Sequence, residues 1–325
     1  MSSAIAKILV YGDLHLSSKN YGAHNNYPEE TLGILKKIAD KAEEVGAKYV
    51  IGLGDLSFGR FNTLEYRDRV ETELNRILKT CNGNHYFLKG NHDSASYGMT
   101  EYEYYIKKGL IKEPCDFDIG EVSFKLINYG EIPNHKMNLN RANTNFVFVH
   151  DFVAFKDSIM PNYGKPVLID ELDDWFGVDF VIAGHIHKSG AYEGAITKEI
   201  DGQTYARRVI IDYPGCMSRP SYQGDETDKE GHMVVLTVYS DGNVDYDRQN
   251  IELLPIEESF NLAVKQAEKE KEEEKKNRVD ITDIVSNLDT HERSIGDPES
   301  IIMGLNNIAE KYKNKAIELL KLGEA

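Results

Sequence analysis

The sequence is poor in cysteine, poor in positive charge and without long hydrophobic runs. Its three cysteines, Cys81, Cys115 and Cys216, are odd in number and far apart. That excludes a disulfide framework and fits a reducing cytoplasm, the expected location. No window approaches the roughly 18 consecutive apolar residues of a membrane span, so no membrane association is expected. The opening, MSSAIAKILVYGD, has neither a basic stretch nor a cleavage signature, and no secretion signal is expected. Lys and Arg total 38 against 54 Asp and Glu, a net charge of -16. An acidic chain lacks the basic footprint of an ordinary nucleic-acid binder. Any grip on DNA phosphates must therefore come from something other than overall charge.

What is present suffices for a sizeable core. Apolar residues make up 41% of 325 residues, enough for one large domain or two ordinary ones. Strand-like and helix-like patterns alternate through the first third. Strands are expected at 6–12, 48–55 and 85–93, and helices at 28–46 and 62–80. The first helix places Leu32, Leu35, Ile38, Ala39, Ala42 and Val45 on one face; the second directs Leu64, Val70, Leu74 and Ile77 inward. A βαβαβ order favours a parallel sheet. Strand-like runs then dominate, at 122–130, 145–151, 180–187, 205–215, 232–240 and 244–253, with one helix expected at 168–177. Asp241-Gly242 between the last two marks a hairpin. The expected fold class is α/β, two packed sheets with helices outside. After Pro255 the composition shifts. Residues 263–278 are nearly all charged with both signs mixed, a solvated helical linker, and amphipathic helices are expected over 280–322.

Five short segments place Asp, His or Asn directly after a strand-like run: YGDLHLS (Asp13, His15), LGDLS (Asp55), KGNHD (Asn91, His92, Asp93), FVHDF (His150, Asp151) and AGHIH (His185, His187). Alone, GD or GN after a strand is an ordinary turn, and a single histidine there is usually structural. Together, five strand ends of one sheet system would converge on one crevice. The converging groups are nitrogen and oxygen ligands with no thiol among them. That set suits Mn, Fe or Zn rather than Ca or a structural cysteine site. It exceeds what one ion needs, and two ions sharing a bridging carboxylate would use it. Such a pair clamps a phosphoryl group and lowers the pKa of a water to yield a nucleophilic hydroxide.

D-x-H, GD, GNHD, H and GHxH in this order resemble the calcineurin-like metallophosphoesterase superfamily over residues 6–255. The resemblance implies the two-sheet α/β/β/α sandwich. It implies that Asp13, His15 and His187 hold one metal, that Asn91, His150 and His185 hold the other, and that Asp55 bridges them. Two divalent ions are implied, Mn2+ first, with Mg2+, Fe2+ or Zn2+ as alternatives. His92 looks like the family's transition-state residue, and Asp93 would orient it. Asp151 has no family role and is expected to serve a turn or to support a metal ligand from behind.

A second resemblance concerns the substrate. The segment 213–238, YPGCMSRPSYQGDETDKEGHMVVLTV, is similar to the region after GHxH in SbcD-type nucleases, with Cys216 where serine is usual. It implies a DNA repair and recombination nuclease, exonuclease and endonuclease, possessing partners: DNA, an SbcC-like coiled-coil ATPase docked by the C-terminal helices, and a second copy within a heterotetramer. If the chain is phage-encoded, its location is the host cytoplasm. The implied organisation is a phosphoesterase domain at 1–255, a charged linker at 256–279 and docking helices at 280–325. Two departures stand out. Few residues remain for a DNA-binding cap domain, and Phe58 occupies a position where many relatives carry His or Asp. The competing reading is a small-molecule phosphodiesterase or phosphatase, favoured by the acidic charge. A scaffold protein that has lost its metal ligands is disfavoured, since every ligand is present.

Overall fold

The computed structural model describes residues 2–271 except 22, 59–61, 96–97, 135, 141, 157–164, 220–230, 265 and 268–269, and beyond them only 313 and 317. The chain divides into two units, Met1–Phe260 and Asn261–Ala325. In the second, residues 262–264, 266–267 and 270–271 are helical. The helices expected over 280–322, apart from 313 and 317, and residues 220–230 of the segment 213–238 lie outside the described residues.

The first unit begins with β1 (Ala4–Tyr11), α1 (Tyr27–Val45), β2 (Tyr49–Gly52), α2 (Leu64–Thr80) and β3 (His85–Phe87). β1 pairs with β2 and β2 with β3, both parallel, in the expected βαβαβ arrangement. α1 starts with Pro28 at its first turn and stops at Gly46, whose φ of 63° closes the helix in the left-handed form. Its apolar stripe packs on β1 and β2 through Leu32, Leu35, Ile38, Ala39 and Ala42. Leu64 corrects the expected pattern of α2, because it is 75% exposed. It is the first helical residue after the Thr63 cap, and Tyr66, Val70, Leu74 and Ile77 form the buried stripe instead.

α3 (Glu101–Lys108) was not anticipated, although Thr100 and Glu103 form a complete capping box before an aromatic run. There follow β4 (Phe117–Ile119), β5 (Val122–Ile127), β6 (Thr144–Val149), β7 (Val153–Ala154), β8 (Val167–Leu168) and β9 (Phe180–Ala183). β10 (Gly190–Ile200), β11 (Gln203–Tyr213), β12 (Gly231–Tyr239), β13 (Val244–Ile251) and the short α4 (Ile256–Ser259) complete the unit. β10 is a long edge strand that buries only Ile196, so it has no apolar run to announce it. Its signal was Asp201-Gly202, where both φ angles are positive, 51° and 77°, as a two-residue hairpin requires. The helix expected at 168–177 is instead two 3-10 turns, Ile169–Glu171 and Asp173–Trp175. Ile169, Leu172 and Trp175 recur every three residues, the 3-10 period, and all pack on the second sheet.

The two sheets run β13-β12-β1-β2-β3 and β10-β11-β9-β6-β5-β4. They face each other across Ile8, Val10, Ile51, Val234 and Leu236 on one side and Phe124, Phe146, Phe148 and Ile182 on the other. Helices cover the outer face of the first sheet, and the 3-10 turns with Phe152 and Phe155 cover the second. This is the expected α/β sandwich of two sheets, with its last layer built of turns. Because β5, β6 and β9 are mutually parallel, as are β1, β2 and β3, each sheet delivers several carboxyl ends to one rim.

Candidate dinuclear metal centre

Every expected site residue follows one of those carboxyl ends. Asp13 and His15 leave β1, Asp55 leaves β2, and Asn91, His92 and Asp93 leave β3. His150 leaves β6, and His185 and His187 leave β9. The exits are sharp. His15, Asp55 and His185 have φ of 50°, 49° and 73°, a left-handed conformation that non-glycine residues hold only when their surroundings fix it. Backbone bonds supply that fixing: the N–H groups of Leu14 and His15 both donate to the Asp55 carbonyl, at 3.2 and 3.0 Å.

Two glycines explain how the segments come so close. A Cβ on Gly90 would lie 2.1 Å from Asp55 Oδ1, and one on Gly54 would lie 2.1 Å from His150 Nδ1. Neither position has space for any side chain.

The ligand atoms point at one another. His15 Nε2 and His187 Nε2 are 3.1 Å apart. Asn91 Oδ1 lies 2.9 Å from His185 Nδ1 and 3.1 Å from His150 Nε2. Asp55 Oδ2 lies 3.4 Å from His150 Nε2 and 3.9 Å from His15 Nε2. Asp13 reaches His187 Nε2 at 3.9 Å through Oδ2 and His150 Nδ1 at 3.8 Å through Oδ1. One acceptor-rich set, Asp13, His15 and Asp55, has all its ligand atoms within 4.8 Å of one another.

His150 tests whether a cation fits. Its Nδ1–H donates to the Leu53 carbonyl at 2.7 Å. That fixes the tautomer and leaves Nε2 facing two oxygen acceptors, Asn91 Oδ1 and Asp55 Oδ2. Lone pairs so opposed in a buried site need a positive charge between them. The titration behaviour says the same. Burial lowers the His150 pKa, but the Asp13 and Asp55 carboxylates outweigh it and push it up to about 9. Burial raises Asp55 in turn, yet His150, His15 and the His92 N–H together hold it below the usual carboxylate range. Asp13 is pushed up, by burial first, against the pull of His150. A proton on His150 does in isolation what a divalent ion does between these groups. The residues fit a metal pair.

His92 lies at the rim of the cluster, its ring centroid 5.2 Å from that of His15. It is half-buried, its backbone N–H donates to Asp55 Oδ1 at 2.8 Å, and burial lowers its pKa. The Phe58 ring stacks beside it, with centroids 5.7 Å apart and an interplanar angle of 26°. Asp93 requires a correction. It does not orient the His92 imidazole; its carboxylate accepts from the Leu56 N–H at 3.1 Å and the Gly90 N–H at 2.9 Å. Adjacent residues in this tight turn send their side chains apart, His92 to the rim and Asp93 into the interior. Burial, then Asp55, pushes Asp93 up to about 7. Asp151 serves the turn after β6, accepting from the Phe152 N–H at 2.9 Å.

Two site residues were missed by sequence reasoning. Tyr129 is 45% exposed, and its ring lies 5.7 Å from His185 and 6.1 Å from His150, so it flanks that pair of imidazoles. Cys216 lies with its ligand atom within 4.8 Å of those of His15 and His187. Only Cys216 had a signal, the cysteine standing where a serine was expected.

The family of calcineurin-like phosphoesterases has a model that matches residues 6–189. No curated protein matches the chain. Among solved structures, a dimetal phosphatase from Danio rerio is similar, with 12% identity and a TM-score of 0.42 over 80% of this chain and 100% of that one.

Proposed function

The chain belongs to the calcineurin-like phosphoesterases, metal-dependent hydrolases of phosphoesters, and on that premise we propose that it is a Mn2+-dependent DNA nuclease of the SbcD type. What supports the reading is the resemblance of residues 213–238 to the region after GHxH in SbcD-type nucleases, and the placement of its first part, Tyr213–Arg219. That part is built into the centre rather than lying beside it. The Cys216 N–H donates to the His187 carbonyl at 3.1 Å, and the Met217 N–H donates to the Asp13 carbonyl at 2.8 Å. Arg219 then donates to the Leu254 carbonyl at 2.7 Å, tying the segment to the end of the unit.

Asp13, His15 and His187 would hold one ion and Asn91, His150 and His185 the other, with Asp55 between. Bound there, the ions supply Lewis-acid charge opposite the phosphate and acidify the attacking water. The protein's own groups do the rest. His92, kept neutral near pH 7 by its lowered pKa, offers an imidazole N–H to a phosphate oxygen or to the departing 3′ oxygen. Asp55 Oδ1 fixes the loop that carries it. Asn91 is a neutral oxygen ligand and adds no negative charge beside the phosphate. The acidic surface then matters less, because the positive potential is local to the ions and an ATPase partner supplies further DNA contact. In this proposal residues 1–255 are the nuclease domain, 256–279 a tether and 280–325 the helices that dock on an SbcC-like ATPase, within a cytoplasmic heterotetramer containing two nuclease subunits.

A second reading is favoured by the charge of -16, a small-molecule phosphodiesterase or phosphatase using the same centre. Comparing the full chain with Mn2+ on linear duplex DNA, single-stranded DNA, bis(p-nitrophenyl) phosphate and a nucleoside monophosphate separates the two. Cleavage of DNA that is lost in His92→Ala supports the nuclease. Turnover of the small esters with intact DNA refutes it and selects the second reading.

A further inference from the structure

The ligand set expected from the family is all nitrogen and oxygen, and Cys216 breaks it. We infer that the Cys216 thiolate is an additional ligand of the ion held by Asp13, His15 and His187, which makes that position selective for a thiophilic cation such as Zn2+ or Fe2+ over Mn2+. The inference rests on the dinuclear reading and sharpens it, because the two positions then differ in the metal they prefer.

The geometry places sulfur and two imidazoles together. The ligand atoms of His15, His187 and Cys216 all lie within 4.8 Å of one another. Sulfur and nitrogen ligands of one tetrahedral zinc ion are separated by roughly 3.6 Å, from bond lengths of about 2.3 and 2.1 Å. The thiol is therefore within a small side-chain adjustment of a shared ion. Its location is also fixed through the backbone. The loop after β11 approaches so closely that a Cβ on Gly12 would lie 2.1 Å from the Gly215 carbonyl oxygen. Cys216 is then bonded through its N–H to His187, while the next residue is bonded to Asp13. Two of the ion's expected ligands thus hold the cysteine in place.

Cys216 is fully buried, and its S–H donates to the Asp13 carbonyl at 3.3 Å. On binding, the sulfur–metal bond forms, the S–H bond breaks and the proton leaves to solvent, as metal ligation by a thiol requires. A serine hydroxyl at this position would not lose its proton so readily and would leave the site to hard ions. Soft sulfur favours Zn2+ over Mn2+ beyond the ordinary affinity order. The Asn91, His150 and His185 position has no sulfur among these groups and remains suited to Mn2+.

Titrating the metal-free full chain with Co2+ tests the inference without measuring activity. The expected result is two bound ions and a thiolate-to-cobalt charge-transfer absorption in the near ultraviolet. Cys216→Ser keeps both ions and loses that absorption, whereas Cys115→Ser retains it. In competition, Cys216→Ser lowers Zn2+ affinity at one position by at least the ~10–100-fold known for losing a mere supporting partner of a ligand, with Mn2+ affinity little changed. Two bound Co2+ ions without charge transfer, or absorption that persists in Cys216→Ser, overturns the sulfur ligand and leaves the dinuclear reading standing. A chain that binds no Co2+ overturns both.

Discussion

Gly90→Ala is the smallest change that probes the centre, because it adds one methyl group and removes no ligand. The added Cβ would lie 2.1 Å from Asp55 Oδ1 and 2.4 Å from the Asp55 backbone nitrogen. Ordinary contact begins near 3.4 Å, so the two segments must separate by about 1.3 Å. Overpacking of this kind costs about 1–3 kcal/mol. Separation also breaks the bond from the His92 N–H to Asp55 Oδ1, a hydrogen bond to a charged group. Metal ligands tolerate displacements of only about 0.2 Å, so Asp55 can no longer bridge. Misplacement by about 1 Å costs roughly 100-fold in rate. Gly90→Ala should therefore lower the melting temperature, bind fewer than two ions and lose at least that much phosphodiesterase activity. Gly33→Ala is the control. Gly33 lies inside α1, its added Cβ meets nothing within 4 Å, and the change should stabilise by about 0.5–1 kcal/mol with activity intact. Calorimetric melting, metal analysis and turnover of a chromogenic diester read all three effects. If Gly90→Ala binds two ions and keeps activity within twofold, the close approach of β2 and β3 exits is not what holds the bridge.

His92→Ala should retain both ions and lose most turnover, whereas Asn91→Ala should weaken metal binding itself; equal loss of metal in both variants would merge the roles separated above. Mn2+ should stabilise the fold, by about 2.7 kcal/mol at a concentration 100 times its dissociation constant, and a melting temperature unmoved by Mn2+ or by chelator would remove the metal from the native state. Away from the centre, buried His85 bonds the Tyr11 hydroxyl at 2.9 Å, and burial pushes its pKa down to about 4. Its folded pKa lies below the unfolded value near 6.5, so the stability it contributes is full above pH 6.5 and is lost as pH falls toward 4, about 3 kcal/mol in all. Urea unfolding of the metal-free chain should show that slope and His85→Asn should lack it; identical slopes would refute the assignment.

The convergence of the candidate residues was legible because each stands at the end of an apolar run, and strand ends need only the parallel order of the sheet to converge. The β3 exit illustrates the limit. Asn91, His92 and Asp93 were separable by chemistry, but which way Asp93 points depends on a turn that sends it toward the Leu56 and Gly90 amides, and period-two or period-3.6 patterns carry no information about that. Edge strand β10 was hidden for a different reason. Its side chains face solvent on alternate positions and elsewhere, Ile196 excepted, are only half-buried, so no hydrophobic periodicity forms; its hairpin residues, Asp201 and Gly202, were the readable mark. Tyr129 was invisible because it lies in a loop after β5, brought to the site by folding of the second sheet rather than by any local pattern.

Asp55 would join metal binding to the position of His92 through its two oxygens. Oδ2 faces His150 and His15, where an ion would lie, and Oδ1 accepts the His92 N–H. Asp93 braces the same corner from behind, bonding the Leu56 N–H immediately after Asp55 and the Gly90 N–H immediately before Asn91. Loss of an ion would therefore free Oδ2 and loosen the loop that presents His92, while loss of Asp93 would loosen it with the ligands untouched. Asp93→Asn distinguishes this brace from a role in proton transfer. An amide can still accept one backbone N–H through its oxygen, but its NH2 group faces the other donor. The variant should melt at a lower temperature, by roughly the 1–3 kcal/mol of an unsatisfied buried group, with the shape of its pH–rate profile unchanged. A profile that loses a limb with melting unchanged would return Asp93 to the chemistry.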